Sequence, residues 1–212
     1  MTCVHILWDL GGTLLDTYPV VDRALACAVH GAGEPSDAAL EEVARLTRVS
    51  SGHAIETLAQ RYGVPEDILR AAYESTKATW EVTPPPVMDG AREVMDAVRA
   101  GGGLNLVATH RPRESAVALM EKVGVEVDDL VCASDGFARK PDPAMVQELL
   151  RRHALDPSAV IAVGDRPGDV AAAQSALVRG VLLETPGIAL DALGADRIGS
   201  LRELLPLLGR LG

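Results

Sequence analysis

The hydrophobic and polar positions of this chain change their pattern twice. Residues 4–8 form a short apolar run that is typical of a buried strand, and the run ends at Asp9. Residues 17–82 show only helical spacing, with turn-forming residues between about four helices. From residue 90 onwards, short apolar runs alternate with helical patterns. The alternation predicts a parallel sheet covered by helices on both faces, and the middle segment predicts an all-helical insertion.

The element boundaries follow from helix caps, prolines and glycines. In the insertion, helices are expected at Val20–Val29, Ala38–Thr47, Ala54–Tyr62 and Glu66–Trp80. In the last part of the chain, strands are expected at 104–108, 131–133, 159–163 and 181–183, and helices at 90–100, 112–123, 143–153, 168–175 and 200–208. We therefore predict an α/β core made of residues 1–15 and 84–212, and a helical domain made of residues 17–82.

Composition narrows the classes of protein that fit. The chain has 212 residues, of which 48% are apolar, so it is expected to be globular. Its apolar runs are shorter than a membrane span, no signal-peptide pattern precedes the first strand, and a formal charge of −10 argues against nonspecific nucleic-acid binding. Three isolated cysteines show neither a disulfide framework nor a zinc spacing, which favours the cytoplasm. The oligomeric state, monomer or homodimer, stays open.

Polar side chains recur at the carboxyl ends of the predicted strands. Asp9, Thr109 and Asp165 each follow an apolar strand, Lys140 precedes a helix, and Asp169 comes four residues after Asp165. Because the carboxyl ends of parallel strands share one edge of a sheet, we expect these side chains to lie close together. Carboxylates with a hydroxyl and an ammonium suit a phosphate group and a magnesium ion.

Each of these residues also has a structural alternative. Asp9 could cap the next turn, and Thr109 could cap the helix that follows it. Asp165 and Asp169 could be first-turn carboxylates of a helix, and Lys140 could be a solvated surface lysine. For any single residue the structural alternative stays open. The recurrence of polar side chains at the ends of successive strands favours one shared site.

Taken in order, these residues resemble the motifs of the haloacid dehalogenase superfamily of phosphotransferases. The resemblance runs to about Leu183 and rests on Asp9-Leu-Gly-Gly-Thr-Leu14, Thr109, Lys140-Pro141 and Gly164-Asp165-Arg-Pro-Gly-Asp169. The helical insertion resembles the small cap of the subgroup that includes phosphoglycolate phosphatases. The resemblance implies a three-layer, Rossmann-like α/β core with an inserted helical cap, acting on a small phosphorylated metabolite.

The resemblance also implies a role for each matched residue. Asp9 would be the nucleophile that forms an aspartyl-phosphate. Magnesium would be held by Asp9, the backbone carbonyl of Gly11 and Asp165, and Asp169 would support this site or orient Lys140. Lys140 would also assist catalysis. The residues expected to bind phosphate are Gly12, Thr109, His110 and Lys140.

The chain departs from the family pattern at Gly11, where the phosphatases carry a second aspartate as general acid and base. Glycine cannot move a proton, and acid–base catalysis typically contributes ~10²–10⁴-fold to the rate. His110 and Asp16 are candidates to replace the missing group. Two other functions remain: a silent domain that binds a phosphorylated ligand or a protein partner, and a phosphonatase-type hydrolase using Lys77 as a Schiff base.

Overall fold

The structure is a computed structural model that describes residues 3–31 and 33–209. It divides into two compact units, one combining the residues up to Leu15 with those from Pro86 onwards, and the other made of residues 16–85. The outermost residues of the predicted core, 1–2 and 210–212, lie outside the described residues. No helix within the described ranges combines the length and the apolar character that crossing a membrane requires.

The described residues of the first unit form a six-stranded sheet in which all neighbouring strands are parallel. Its strands are β1 (His5–Trp8), β2 (Asn105–Thr109), β3 (Asp129–Cys132), β4 (Val160–Gly164), β5 (Arg179–Leu183) and β6 (Asp196–Ile198). Their order is β3-β2-β1-β4-β5-β6. The strands β2 and β3 therefore lie on one side of β1, and β4, β5 and β6 lie on its other side. The strand order therefore reverses between β1 and β4, which is where open α/β sheets bind ligands. The predicted α/β fold with a parallel sheet is confirmed.

The helices alternate with these strands after residue 90 and follow one another before it. They are α1 (Tyr18–His30), α2 (Asp37–Thr47), α3 (Ser51–Tyr62), α4 (Glu66–Val82), α5 (Ala91–Ala100), α6 (Arg113–Val123), α7 (Ala144–Arg152), α8 (Pro167–Ser175) and α9 (Leu205–Leu208). Three short 3₁₀ helices lie at Ala133–Asp135, Pro157–Ala159 and Leu201–Leu204.

Successive side chains of the strands point to opposite faces of the sheet, and helices cover both faces. On one face, Leu7 and Ala162 pack in a buried cluster with Met145 of α7. On the other face, Asn105 is fully buried. It accepts a hydrogen bond from Trp8 Nε1 (3.0 Å) and donates one to a backbone carbonyl of α5 (3.1 Å). This buried amide ties β1, β2 and α5 together at a defined register.

The second unit consists of α1 to α4. Ser36 and Ser50 precede α2 and α3, and each hydroxyl accepts a hydrogen bond from the backbone N–H three residues later, at 3.3 and 3.0 Å. These contacts are N-caps, which explains where the two helices begin. Inside the unit, the buried Asp22 accepts hydrogen bonds from Thr47 (2.7 Å) and Arg48 (2.6 Å), linking α1 to the end of α2.

Two elements differ from the predicted pattern. Asp196–Ile198 forms β6 at the edge of the sheet, where the sequence indicates no strand. Two of its three residues are exposed, so the segment lacks the apolar alternation that reveals a strand. The helix expected at 200–208 is a 3₁₀ helix followed by the short α9, because Pro206 has no N–H to donate to the carbonyl four residues earlier.

Candidate functional site

The register of the sheet places two predicted site residues side by side. Trp8 of β1 is aligned with Val163 of β4, and the Asp9 N–H donates to the Val163 carbonyl (2.9 Å). Asp9 therefore leaves β1 at the point where Asp165 leaves β4, at the reversal of the strand order. Their proximity follows from backbone pairing and does not depend on a flexible loop.

The turn after β1 brings a third residue to the same place. Gly12 has φ +97°, a conformation that residues with a Cβ rarely adopt, and its N–H donates to the Leu15 carbonyl (2.7 Å). This tight turn directs the fully buried Thr13 to Asp165, and the Thr13 hydroxyl donates to Asp165 Oδ1 (3.0 Å). Thr13 lies within the first motif, but its residue type and position in the sequence do not mark it as a site residue.

Three carboxylates meet at this point of the sheet. Among the residues that the structure describes, one carboxylate oxygen from each of Asp9, Asp165 and Asp169 lies within 4.8 Å of the oxygens of the other two. Asp165 is almost completely buried, whereas Asp9 and Asp169 are partly buried. The carboxylate of Asp169, for which the sequence predicts a supporting role, thus belongs to the same group as Asp9 and Asp165.

Lys140 lies against the same carboxylates. Its ammonium contacts Asp9 Oδ1 (2.6 Å), the Asp169 carboxylate and the backbone carbonyl of Ala108 (3.0 Å). An ammonium has three N–H donors, and these three contacts account for all of them. The side chain is only 5% exposed, so the alternative of a solvated surface lysine is wrong. Burial lowers the pKa of Lys140, but the carboxylates of Asp169 and Asp9 outweigh that effect and raise its pKa above the ordinary lysine value.

The charges of this cluster fit a divalent cation. Three carboxylates face the ammonium of Lys140 and the guanidinium of Arg166, which lies 4.0 Å from Asp165 Oδ2. One negative charge is left over in a largely buried setting, and uncompensated buried charge is costly. All three carboxylates offer hard oxygen donors, the type that magnesium prefers. The donor set and its charge therefore fit the expected magnesium ion.

Asp169 serves the local structure as well as the cluster. Its Oδ2 accepts a hydrogen bond from the Arg166 N–H (3.1 Å) in the first turn of α8. The first-turn alternative is therefore correct for this residue, and it coexists with the contact to Lys140. Gly164 makes this position possible, because a Cβ at residue 164 would overlap the Asp169 side chain.

Thr109 and His110 lie at the end of β2. Thr109 is the last residue of the strand rather than the first residue after it, and its hydroxyl accepts a hydrogen bond from the Arg111 N–H (3.2 Å). His110 Nε2 accepts a hydrogen bond from the Lys140 N–H (2.8 Å). This contact within the protein occupies Nε2, and the expectation that His110 binds phosphate stays a prediction.

The pKa of His110 argues against acid catalysis at neutral pH. Burial, followed by the nearby cations of Lys140 and Arg139, lowers the pKa of His110 to about 4. The imidazole is thus neutral at pH 7 and accepts a proton only in acid. The low pKa thus argues against His110 as the substitute for the acid missing at Gly11.

The remaining candidates, Asp16 and Lys77, belong to the second unit. Burial raises the pKa of Asp16 despite the nearby Arg48, a direction that suits a general acid. Lys77 lies on α4 and is paired with Glu74, with 35% of its side chain exposed. That setting is not the desolvated pocket that a Schiff-base lysine requires, so the phosphonatase alternative has no support from this residue.

Comparisons with known proteins agree with the fold and with these motifs. Residues 4–176 match the family model of the haloacid dehalogenase-like hydrolases. A phosphoglycolate phosphatase from Rhodospirillum rubrum is 30% identical over 219 residues, covering 94% of this chain and 90% of that protein. An N-acetylmuramic acid 6-phosphate phosphatase from Pseudomonas aeruginosa is 29% identical over 182 residues, covering 81% of this chain and 77% of that protein. A solved hydrolase of the same family from Deinococcus radiodurans superposes with a TM-score of 0.79 at 21% identity, covering 100% of this chain and 98% of that one.

The match to the family model spans most of the chain, and the relatives at about 30% identity are phosphatases of small phosphorylated compounds. The predicted resemblance and the predicted class of enzyme, a hydrolase of the phosphatase type, are confirmed. The chain belongs to the haloacid dehalogenase-like hydrolases and is similar, within that family, to the phosphoglycolate phosphatases.

Proposed function

We propose that this enzyme is a magnesium-dependent phosphatase that hydrolyses a small phosphorylated metabolite through a phosphorylated aspartate. The observation that carries the proposal is the meeting of Asp9, Asp165 and Asp169 with the buried ammonium of Lys140 where the strand order reverses. The relatives named for phosphoglycolate and N-acetylmuramic acid 6-phosphate support a phosphate monoester as the substrate. The proposal keeps the division into an α/β catalytic domain and an inserted helical domain. It also places the enzyme in the cytoplasm, in line with its three free thiols.

Asp9 is the proposed nucleophile. A carboxylate oxygen forms a bond to phosphorus, the ester P–O bond breaks, and the leaving alkoxide takes up a proton. Water then attacks the phosphorus of the aspartyl-phosphate, which releases inorganic phosphate and a proton and restores the carboxylate. The covalent route divides one difficult displacement into two easier steps.

Asp9, Asp165 and the carbonyl of Gly11 are the proposed magnesium ligands, with Asp169 beside them. Positive charge supplied by bound magnesium would stabilise the charge that develops on the transferred phosphoryl group. Thr13 orients Asp165 through its 3.0 Å hydrogen bond. These contacts are built on strand ends and on one tight turn, so the site is organised before substrate arrives.

Lys140 and Thr109 are the proposed phosphate-binding side chains, together with the backbone at Gly12. Because all three donors of Lys140 already have protein acceptors, its contact with a phosphoryl oxygen requires the exchange of one of them. The contact to Asp9 is the one expected to change, since this carboxylate becomes part of an acyl phosphate, a mixed anhydride, when it is phosphorylated and loses its own negative charge.

Gly11 favours a second candidate function, a domain that binds a phosphorylated ligand without turning it over. A glycine cannot protonate the leaving alkoxide or activate the water that hydrolyses the aspartyl-phosphate. We therefore expect slow hydrolysis of alkyl phosphates and faster release of leaving groups that are stable as anions. The same glycine leaves the proposed metal and phosphate contacts in place, because none of them uses a side chain at residue 11.

A labelling experiment separates the two functions. The protein is mixed with magnesium and an aryl phosphate carrying labelled phosphorus, quenched in acid, and digested. The proposal predicts label on the peptide that contains Asp9, and none on the isosteric variant Asp9→Asn. Turnover without label at Asp9, or label on another residue, would contradict the proposal. Magnesium-dependent binding of inorganic phosphate with neither turnover nor label would instead support the binding domain.

A further inference from the structure

The loop that carries Lys140 is held to the end of β2 by two hydrogen bonds. The backbone N–H of Lys140 donates to His110 Nε2 (2.8 Å). The ammonium at the other end of the same residue donates to the Ala108 carbonyl (3.0 Å). Residues 108–110 therefore hold both the backbone and the side chain of Lys140, and both contacts cross about 30 residues of sequence.

The contact from Lys140 to His110 fixes the tautomer of the imidazole. A ring nitrogen that accepts from an amide N–H carries no proton, so the proton of the neutral ring lies on Nδ1. Lys140, Arg139 and Arg166 surround the ring with positive charge, which is opposed by Asp169. Protonating Nε2 would put an N–H against the Lys140 N–H and break the hydrogen bond, so this geometry requires the neutral form.

We propose that His110 is a positioning residue: its Nε2 holds the backbone of Lys140 so that the ammonium reaches Asp9 and Asp169. The consequence for phosphate binding rests on the proposed function, whereas the placement of the loop does not. The Nε2 of His110 is thus occupied by the Lys140 N–H and is not free to bind phosphate. Its contribution passes through Lys140.

Two variants of His110 separate positioning from proton transfer. His110→Gln places an amide oxygen near the position of Nε2, so it keeps an acceptor but has no proton to exchange near neutral pH. His110→Phe keeps the ring volume and loses the acceptor. His5 provides a matched control, because its Nδ1 accepts from the Leu104 N–H (3.1 Å) at the start of the sheet, away from the site. His5→Phe removes the same kind of hydrogen bond elsewhere in the first unit.

Two readouts are measured for every variant: hydrogen exchange of the Lys140 amide by NMR without metal, and the Kd for inorganic phosphate in magnesium. We expect His110→Phe to accelerate exchange of the Lys140 amide and to weaken phosphate binding by ~10-fold, the scale of one lost hydrogen bond. His110→Gln should recover most of both losses. His5→Phe should leave both readouts at the Lys140 site unchanged.

Two outcomes would overturn the positioning role. One is equal loss of phosphate affinity in His110→Gln and His110→Phe with unchanged exchange at Lys140, which would make the imidazole a direct ligand. The other is a His110→Phe variant that matches the parent in both measurements. If no form of the protein binds phosphate but exchange at Lys140 responds as described, the positioning role stands and the proposed function fails.

Discussion

The buried ammonium of Lys140 gives the most quantitative prediction. Lys140→Met removes the charge and keeps most of the side-chain volume. The substitution leaves Asp9 and Asp169, with side chains only 13% and 11% exposed, without the cation that contacts both of them. Breaking a buried ion pair by removing one partner costs about 3–5 kcal/mol. We expect the metal-free variant to lose that much free energy of unfolding at pH 7.

The pH dependence of this loss has a definite sign. Because the pKa of Lys140 is raised in the folded protein, its stabilising contribution is fully present below the unfolded lysine pKa of about 10.4 and is lost only as pH rises through the folded value. The deficit of Lys140→Met relative to the parent should therefore keep its full size between neutral pH and about 10, and it should shrink only at higher pH.

The assay is urea unfolding of both proteins in a chelator at several pH values, followed by circular dichroism. Lys77→Met is the matched control, because Lys77 forms a partly exposed pair with Glu74 and such pairs contribute less than about 1 kcal/mol. If Lys140→Met is no less stable than Lys77→Met, or if its deficit already disappears between pH 7 and about pH 9, the buried charge cluster does not exist as described.

Three further substitutions test separate parts of the structure. Asp165→Ala should weaken magnesium binding at least ~10-fold in calorimetry, since it removes a buried carboxylate that is a proposed ligand and that Thr13 orients by a hydrogen bond. Unchanged affinity would remove Asp165 from the proposed metal site. Gly164→Ala should lower both the free energy of unfolding and the magnesium affinity, because the new Cβ would overlap the Asp169 side chain. In the control Gly168→Ala the new Cβ meets only ordinary van der Waals contacts, so the magnesium affinity should stay near that of the parent. Leu177→Gly should raise the free energy of unfolding by about 0.5–1 kcal/mol. Leu177 follows α8 with φ +61°, a left-handed conformation that favours glycine, and it is 82% exposed, so little packing is lost. A lower free energy of unfolding would show that the Leu177 side chain packs in solution.

Local pattern was enough to find the elements that organise this site. The apolar run before Asp9, and the similar runs before Thr109 and Asp165, mark β1, β2 and β4 to within a residue or two. The parallel arrangement then brings Asp9 and Asp165 together, because strand register fixes where strand ends lie. What the sequence predicts well is therefore set by periodicity and by the rules of parallel sheets.

Contacts between residues that are far apart in the sequence could not be predicted in this way. The burial of Lys140 depends on a loop that meets Asp9 across 131 residues, and a lone lysine in such a loop is indistinguishable by sequence from a surface one. The acceptor role of His110 is equally hidden, since only the folded loop shows which group faces Nε2. The edge strand β6 was not predicted for a different reason. Two of its three residues are exposed, so its sequence lacks the apolar alternation that marks a strand.

The proposed enzyme transfers a phosphoryl group to Asp9 but lacks, at Gly11, the acid that protonates the leaving group. The most direct measurement compares p-nitrophenyl phosphate with phosphoglycolate, each with magnesium, for the parent and for Gly11→Asp. The first substrate releases a stable anion, and the second releases an alkoxide that needs a proton. We predict that the parent prefers p-nitrophenyl phosphate, and that Gly11→Asp raises the rate on phosphoglycolate by ~10²-fold or more, the usual range for a positioned acid. Phosphoglycolate hydrolysis by the parent at an ordinary enzymatic rate, with no gain from Gly11→Asp, would show that another residue supplies the acid and would contradict the account.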